Sequence, residues 1–201
     1  MTLRSWTGKA AVAAVILGGG LLGACSDKHH DSDNHNSSGR SAQGMTMQRT
    51  GTAEQRILSR LHAENMEEIQ VGQLAQSRGS SDAARRYGQH LVQDHTRADG
   101  QVLQTARAAG VTLMPVDEVK RMKAQEKGMS TPPDPVAELS RLSGADFDRT
   151  MAMRMRDGHR DLIMAVERAR NEVSDANVRS LLDQMLPTLR HHEQMAADMI
   201  R

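Results

Sequence analysis

Five side chains of types that bind metals or move protons fall on the apolar sides of long helical stretches: Glu68, Asp94, His95, His159 and His192. Their places follow from stepping three and four residues along each stretch, the spacing that keeps side chains on one helix face. Leu61 leads to Glu64 and then Glu68, with Glu67 off the face; Leu91 leads to Asp94 and His95 before Ala98. Met151 and Met155 lead to His159 and then Leu162, and Met185 and Leu189 lead to His192 and Ala196. His191 is rotated by about 100° toward a flank. Glu68, His95, His159 and His192 each lie near the middle of a stretch, so four packed helices can bring them to one layer.

Such a layer has two chemical readings. Glu68, His95, His159 and His192, with Asp94 as a further ligand or as the partner of one, supply donors suited to one divalent transition metal such as Zn, Fe, Mn or Cu. The other reading is a buried polar layer in which carboxylates accept hydrogen bonds from imidazoles and fix the register of an aliphatic core. The residues alone favour this second reading, because buried charges that pair satisfy each other without a metal. A standard di-iron centre is disfavoured, since neither helix pair offers the Glu-x-x-His that such bundles use. Met151, Met153 and Met155 before His159, with Met185, Met195 and Met199, are a soft set that would suit Cu(I). Yet Tyr87 and Phe147 are the only aromatics besides Trp6, and the 14 methionines are better read as core filler. No glycine-rich phosphate loop, nucleophile elbow or His-Glu-x-x-His occurs, and Asp94 and His95 have no accompanying nucleophile. The expected protein is a non-catalytic binding or structural module.

The elements that must position these residues are helices, because a core of Leu, Val, Ile, Ala and Met favours helix over strand. The apolar period runs from Ala53 to Arg78 before Gly79, and from a cap in "SSDAARRYG" to Ala109 before Gly110. It resumes from about Ala145 to Asn171 and from about Asp175 to Ile200, where Pro187 should kink the last helix near Asp183. Residues 110–144 hold all but one of the five prolines and two short helical pieces, around Asp117 to Lys127 and Pro135 to Leu142. Two helical hairpins joined by a long crossover containing short helices predict an all-α, ferritin-like four-helix bundle over residues 53–201.

The N-terminus addresses the chain. "MTLRSWTGKAAVAAVILGGGLLGAC" has Arg4 and Lys9, an apolar run from Ala10 to about Leu22, and small residues before the only cysteine, the pattern of a secretory signal over residues 1–24. Leu22-Gly23-Ala24-Cys25 resembles the bacterial lipobox, which implies cleavage before Cys25 and acylation of it. Two or three acyl chains anchor stably, at about 0.8 kcal/mol per buried methylene. Ser26 is, by the same resemblance, compatible with sorting to the outer membrane, facing the periplasm. Residues 25–52, after the cysteine rich in Ser, Asp, Asn and Gly, read as a disordered polar tether in which His29, His30 and His35 are linker residues. A formal charge of +1 gives no indication of nucleic acid as a partner. The expected partner is the membrane, through the lipid; the sequence names no protein partner, although Met122 and Met129 in the crossover are candidates for one.

"EIQVGQLA" (68–75), "YGQHLVQDHTRAD" (87–99), "LSGADFDRTM" (142–151) with His159, and "LPTLRHHEQMA" (186–196) together resemble the bacterial secreted proteins of domain of unknown function 4142. That resemblance covers roughly residues 53–200 and implies a ferritin-like fold and an envelope location, without an activity. The family's recurrent polar residues fall on Glu68, Asp94, His95, His159 and His192. Met151 stands where the family usually has an aromatic, and Gly158 where it usually has an Asp.

Overall fold

The structure is a computed structural model that describes residues 51–201. The predicted signal, the lipidation site at Cys25 and nearly all of the tether lie outside the described residues. Six helices follow: α1 (Ala53–Arg78), α2 (Asp82–Ala108), α3 (Val116–Glu126), α4 (Pro135–Leu139), α5 (Gly144–Glu172) and α6 (Ala176–Asp198). The long four are those the apolar period predicts, and the largest shift is in α4, which ends at Leu139 rather than Leu142. Side-chain oxygens satisfy the first free backbone amides: Thr52 accepts from Gln55 at 3.1 Å, Ser81 from Ala84 at 3.1 Å, and Asp175 from Asn177 and Val178 at 2.8 and 3.0 Å. Gly110, at φ 65°, follows the end of α2 in the left-handed conformation that costs glycine least. Helix α6 continues through Pro187.

α1 packs on α2 and α5, and α6 packs on α5 and α2, giving the four-helix bundle of two hairpins with α3 and α4 in the crossover. Gln55 Nε2 donates to the Thr112 carbonyl at 2.8 Å, so the end of α2 returns to the start of α1. The crossover then runs the length of the bundle, because α5 begins beside the α1–α2 turn, where Gly79 and Gly144 form an isolated parallel bridge. Each hairpin clasps the turn of the other with a carboxylate. Asp148 of α5 accepts from Ser80 N, Ser80 Oγ and Ser81 N at 2.9, 2.7 and 2.8 Å. Glu54 of α1 accepts from Ser174 N, Ser174 Oγ and Asp175 N at 2.7, 2.8 and 3.3 Å. Hydrogen bonds from its own backbone and from Ser174 hold the Glu54 carboxyl down at about 2.

Within the first hairpin the backbones touch. A Cβ on Gly72 would lie 2.8 Å from the Gly88 carbonyl oxygen, and one on Gly88 would lie 2.6 Å from that of Gly72. Both positions exclude any side chain unless α1 and α2 separate. The core divides into two apolar halves. One contains Leu58, Leu61, Val102, Leu162, Val166, Leu182 and Leu189. The other contains Val71, Ala75, Tyr87, Leu91, Phe147, Met151 and Ala196. Along every long helix the polar residue of the layer falls between its contributions to the two halves.

Two predictions follow from these contacts. Gly88→Ala should destabilise by about 1–3 kcal/mol, the cost of overpacking, whereas Gly100→Ala, whose Cβ would meet nothing within 4 Å among the described residues, should stabilise by about 0.5–1 kcal/mol; urea unfolding of both variants checks the contrast. Glu54→Gln should lower stability at neutral pH by roughly 1 kcal/mol after solvent screening. Because the folded pKa is depressed, that difference is full above the ordinary value of 4.5 and shrinks as pH falls toward about 2; a gap independent of pH across this window would contradict the clasp.

Candidate functional site

Glu68 on α1, His95 on α2, His159 on α5 and His192 on α6 meet at the boundary between the two apolar halves, all at most 3% exposed. The three imidazole centroids lie 5.2–5.7 Å from one another. Each ring places a nitrogen within 4.8 Å of those of the other two, so the buried His95, His159 and His192 cluster could hold a metal ion. Glu68 Oε2 lies 2.8 Å from His95 Nε2 and 3.0 Å from His159 Nε2.

The far side of each ring is anchored. His159 Nδ1 donates to the Met155 carbonyl at 2.7 Å, which accepts only, so a neutral His159 carries its proton on Nδ1 and a bare lone pair on Nε2. His192 Nε2 lies 3.0 Å from Asp94 Oδ2, a carboxylate that makes Nε2 the donor and leaves Nδ1 bare. His95 Nδ1 lies 2.8 Å from Asn65 Oδ1, and with the amide in this orientation Nε2 is the bare atom. The near side is not satisfied. His95 Nε2, His159 Nε2, His192 Nδ1 and Glu68 Oε2 are all buried and make no regular hydrogen bond among the described residues, although Glu68 Oε2 pairs electrostatically with the first two. Four electron-pair donors thus share one small interior space, and the acceptors on the outer nitrogens hold the rings as such acceptors do around bound metals.

The charge balance has a clear direction. Burial alone would raise the Glu68 carboxyl, but His159 and His95 overcome it and hold Glu68 well below the usual carboxylate range. Burial would likewise lower His159, and Glu68 outweighs it, so His159 is raised. His192 is pushed down to about 4 by burial and by the neighbouring His159 and His95, against the pull of Asp94. Glu68 and His159 therefore favour each other's charged forms.

All five sequence-selected residues are in or against this site, in distinct places. Asp94 is not in the interior; it stands at the flank with its side chain 23% exposed and meets the outer nitrogen of His192. His191 is exposed, and its ring meets that of His90 at 6.4 Å rather than entering the layer. Met151 and Met155 are buried in or beside the core while Met153 is 42% exposed, as filler and surface would be. Asn65 and Tyr87 were missed as site residues. Asn65 lies four residues after Leu61 and three before Glu68, so the same helical step would have selected it; the step through Glu64 passed over it. The Tyr87 ring lies edge-on to His192 at 6.2 Å, with its hydroxyl donating to the His192 carbonyl at 3.3 Å.

Fold and site together define a four-helix bundle with a buried histidine–carboxylate layer. Residues 38–199 match the family described as Domain of unknown function (DUF4142), and the chain belongs to that family. The match begins inside the stretch read from sequence as a tether. No curated protein and no solved structure matches the chain. The family description assigns no activity, so the chemistry of the layer carries the functional argument.

The anchoring acceptors predict the ring states of the metal-free protein. Long-range ¹H–¹⁵N correlation spectra should show His159 protonated at Nδ1 and His192 as the neutral Nε2–H tautomer down to about 4. His192 then contributes stability in full above its ordinary value near 6.5 and loses it as pH falls toward the folded value. A His192 that titrates near 6.5 would contradict this geometry.

Proposed function

We propose that this chain is a non-catalytic metal-binding protein of the bacterial envelope, holding one divalent transition ion through His95, His159, His192 and Glu68. The observation that carries this reading is the set of four buried donor atoms that make no regular hydrogen bond among the described residues. A water offers two protons to four lone pairs, and a cation satisfies all four at once. Bonds of about 2.0–2.1 Å opened to a tetrahedral angle separate ligand atoms by roughly 3.3 Å; the Glu68 contacts are shorter, at 2.8 and 3.0 Å, and the ring nitrogens lie within 4.8 Å of one another. Three imidazoles and a carboxylate suit Zn, Fe, Mn or Cu(II) rather than Cu(I), whose thioether ligands are elsewhere in the core or on the surface. Asp94, Asn65 and the Met155 carbonyl orient the rings. A lipid at Cys25 would tether the bundle at the outer membrane, and the lipobox resemblance is the support for that placement.

A structural reading has its own observation, the pairing of a raised His159 with a lowered Glu68. That pair would lock helix register with a proton in place of a metal. Elemental analysis of the full chain, prepared without chelator beside His159→Ala/His192→Ala, separates the two. Metal binding predicts about one equivalent lost in the variant, which keeps the linker histidines as an internal control; equal metal in both assigns any uptake to the linker. No metal in either, with a less stable variant, leaves the structural lock. Under metal binding, Asp94→Ala should retain stoichiometry and lose roughly 10- to 100-fold in affinity, the effect of removing an orienting partner. Competition with a chromophoric chelator reads that loss.

A further inference from the structure

The layer is sealed by apolar residues above and below, yet it has a side entrance. A cavity of about 440 Å³ opens between α1, α5 and the crossover, and Glu68 lines it. Glu68 is 3% exposed, and its Oε2 makes no regular hydrogen bond among the described residues. The cavity wall therefore includes Glu68, the residue whose carboxylate belongs to the layer. Glu64 and Glu67, one turn or less from Glu68 on α1, line the same cavity. Their carboxylates are covered from the crossover: Lys123 Nζ lies 2.7 Å from Glu64 Oε1, and Lys120 Nζ lies 3.6 Å from Glu67 Oε2. Arg60 adds a third cation, 3.6 Å from Glu64. A second, smaller cavity of about 70 Å³ reaches Asn65, Asp94 and His95, but that is the side on which the ring nitrogens of His95 and His192 are already engaged.

We infer that the larger cavity is the loading route of the layer: a divalent cation enters beneath the crossover, passes from Glu67 and Glu64 to Glu68, and reaches the imidazoles, while Lys120 and Lys123 of α3 occupy those carboxylates when no ion is in transit. This inference rests on the metal-binding reading of the layer. Two physical points support it. Besides these residues the cavity wall carries Glu138, Asp157 and Asp161 beside Lys127 and Arg154, so its charges are mixed, and a hydrated ion needs replacement oxygens as it sheds water. Lysine is a compact charge on a flexible stem, so it can leave a carboxylate by rotation without moving the helix. The charges on both sides also explain why a wide entrance need not admit ions freely: each carboxylate gives up a lysine before it takes a metal.

A passage changes rates in both directions and leaves the endpoint alone. The test is stopped-flow uptake of Co(II) by the full chain in detergent, and its release to excess chelator, for the wild type, Glu64→Gln/Glu67→Gln and Lys123→Ala. The double variant should load and release several-fold more slowly with an unchanged dissociation constant, and Lys123→Ala should speed both steps. A change in dissociation constant at constant association rate would overturn the route by making these residues structural supports or ligands. Wild-type rates in the double variant would overturn it as well, while the site itself stood. A wild type that takes up no Co(II) would overturn the metal reading and the route together, which separates failure of the site from failure of its entrance.

Discussion

Everything in this bundle is arranged around one constraint: a carboxylate placed at mid-core must be given a positive charge and polar neighbours. Glu68 is buried as deeply as the leucines around it. An isolated carboxylate there would cost several kcal/mol after relaxation. The remaining three helices answer with one imidazole each, and the far nitrogen of every imidazole is in turn held by a backbone carbonyl, an amide or a carboxylate. The layer is thus a network whose outer ends are satisfied and whose inner ends face one another. A network satisfied throughout would be a register lock. This one is complete only on its outer side.

The apolar halves follow from that layer. Leucines and valines above it and the Tyr87, Phe147 and Met151 group below it can slide past one another with little cost, because aliphatic contacts are not directional. Polar contacts across four helices define a single register. The clasps at the two ends do the same work by different means: Asp148 on the first hairpin's turn and Glu54 on the second's place each hairpin against the other without a covalent link. Gly72 and Gly88 then set how closely the first hairpin is drawn together.

The helical period made most of this legible. Stepping from Leu61, Leu91, Met155 and Leu189 selected Glu68, His95, His159 and His192 because an α-helix in a bundle shows one face to the core, and a polar residue on that face stands out against aliphatics. Asp94 was selected with them and found in a different role, since its neighbour His95 takes the interior direction and a residue about 100° away can only approach from the flank. What the period could not show depends on distances between helices. The Gly72–Gly88 contact reads as two ordinary glycines in sequence. Glu54 and Asp148 read as ordinary acids near helix starts, and nothing local says that their partners are Ser174 and Ser80. The cavity was invisible for the same reason: it exists because α3 and α4 bridge a span that the proline-rich crossover leaves irregular, and its walls come from three separate parts of the chain.

The two readings of the layer share a single electrostatic requirement, and this explains why one arrangement supports both. Glu68 needs one positive charge nearby. In the metal-free protein Glu68 raises the affinity of His159 for a proton, while burial and the neighbouring rings lower that of His192. A bound divalent ion supplies the charge itself, and then every ring must be neutral to donate a lone pair. The acceptors on the outer nitrogens are compatible with both states, because each binds an N–H that is present whether or not the inner nitrogen is protonated. The same outer anchors hold the rings in either state. Such a core can be folded before an ion arrives, which is the condition under which an entrance lined by carboxylates has a function.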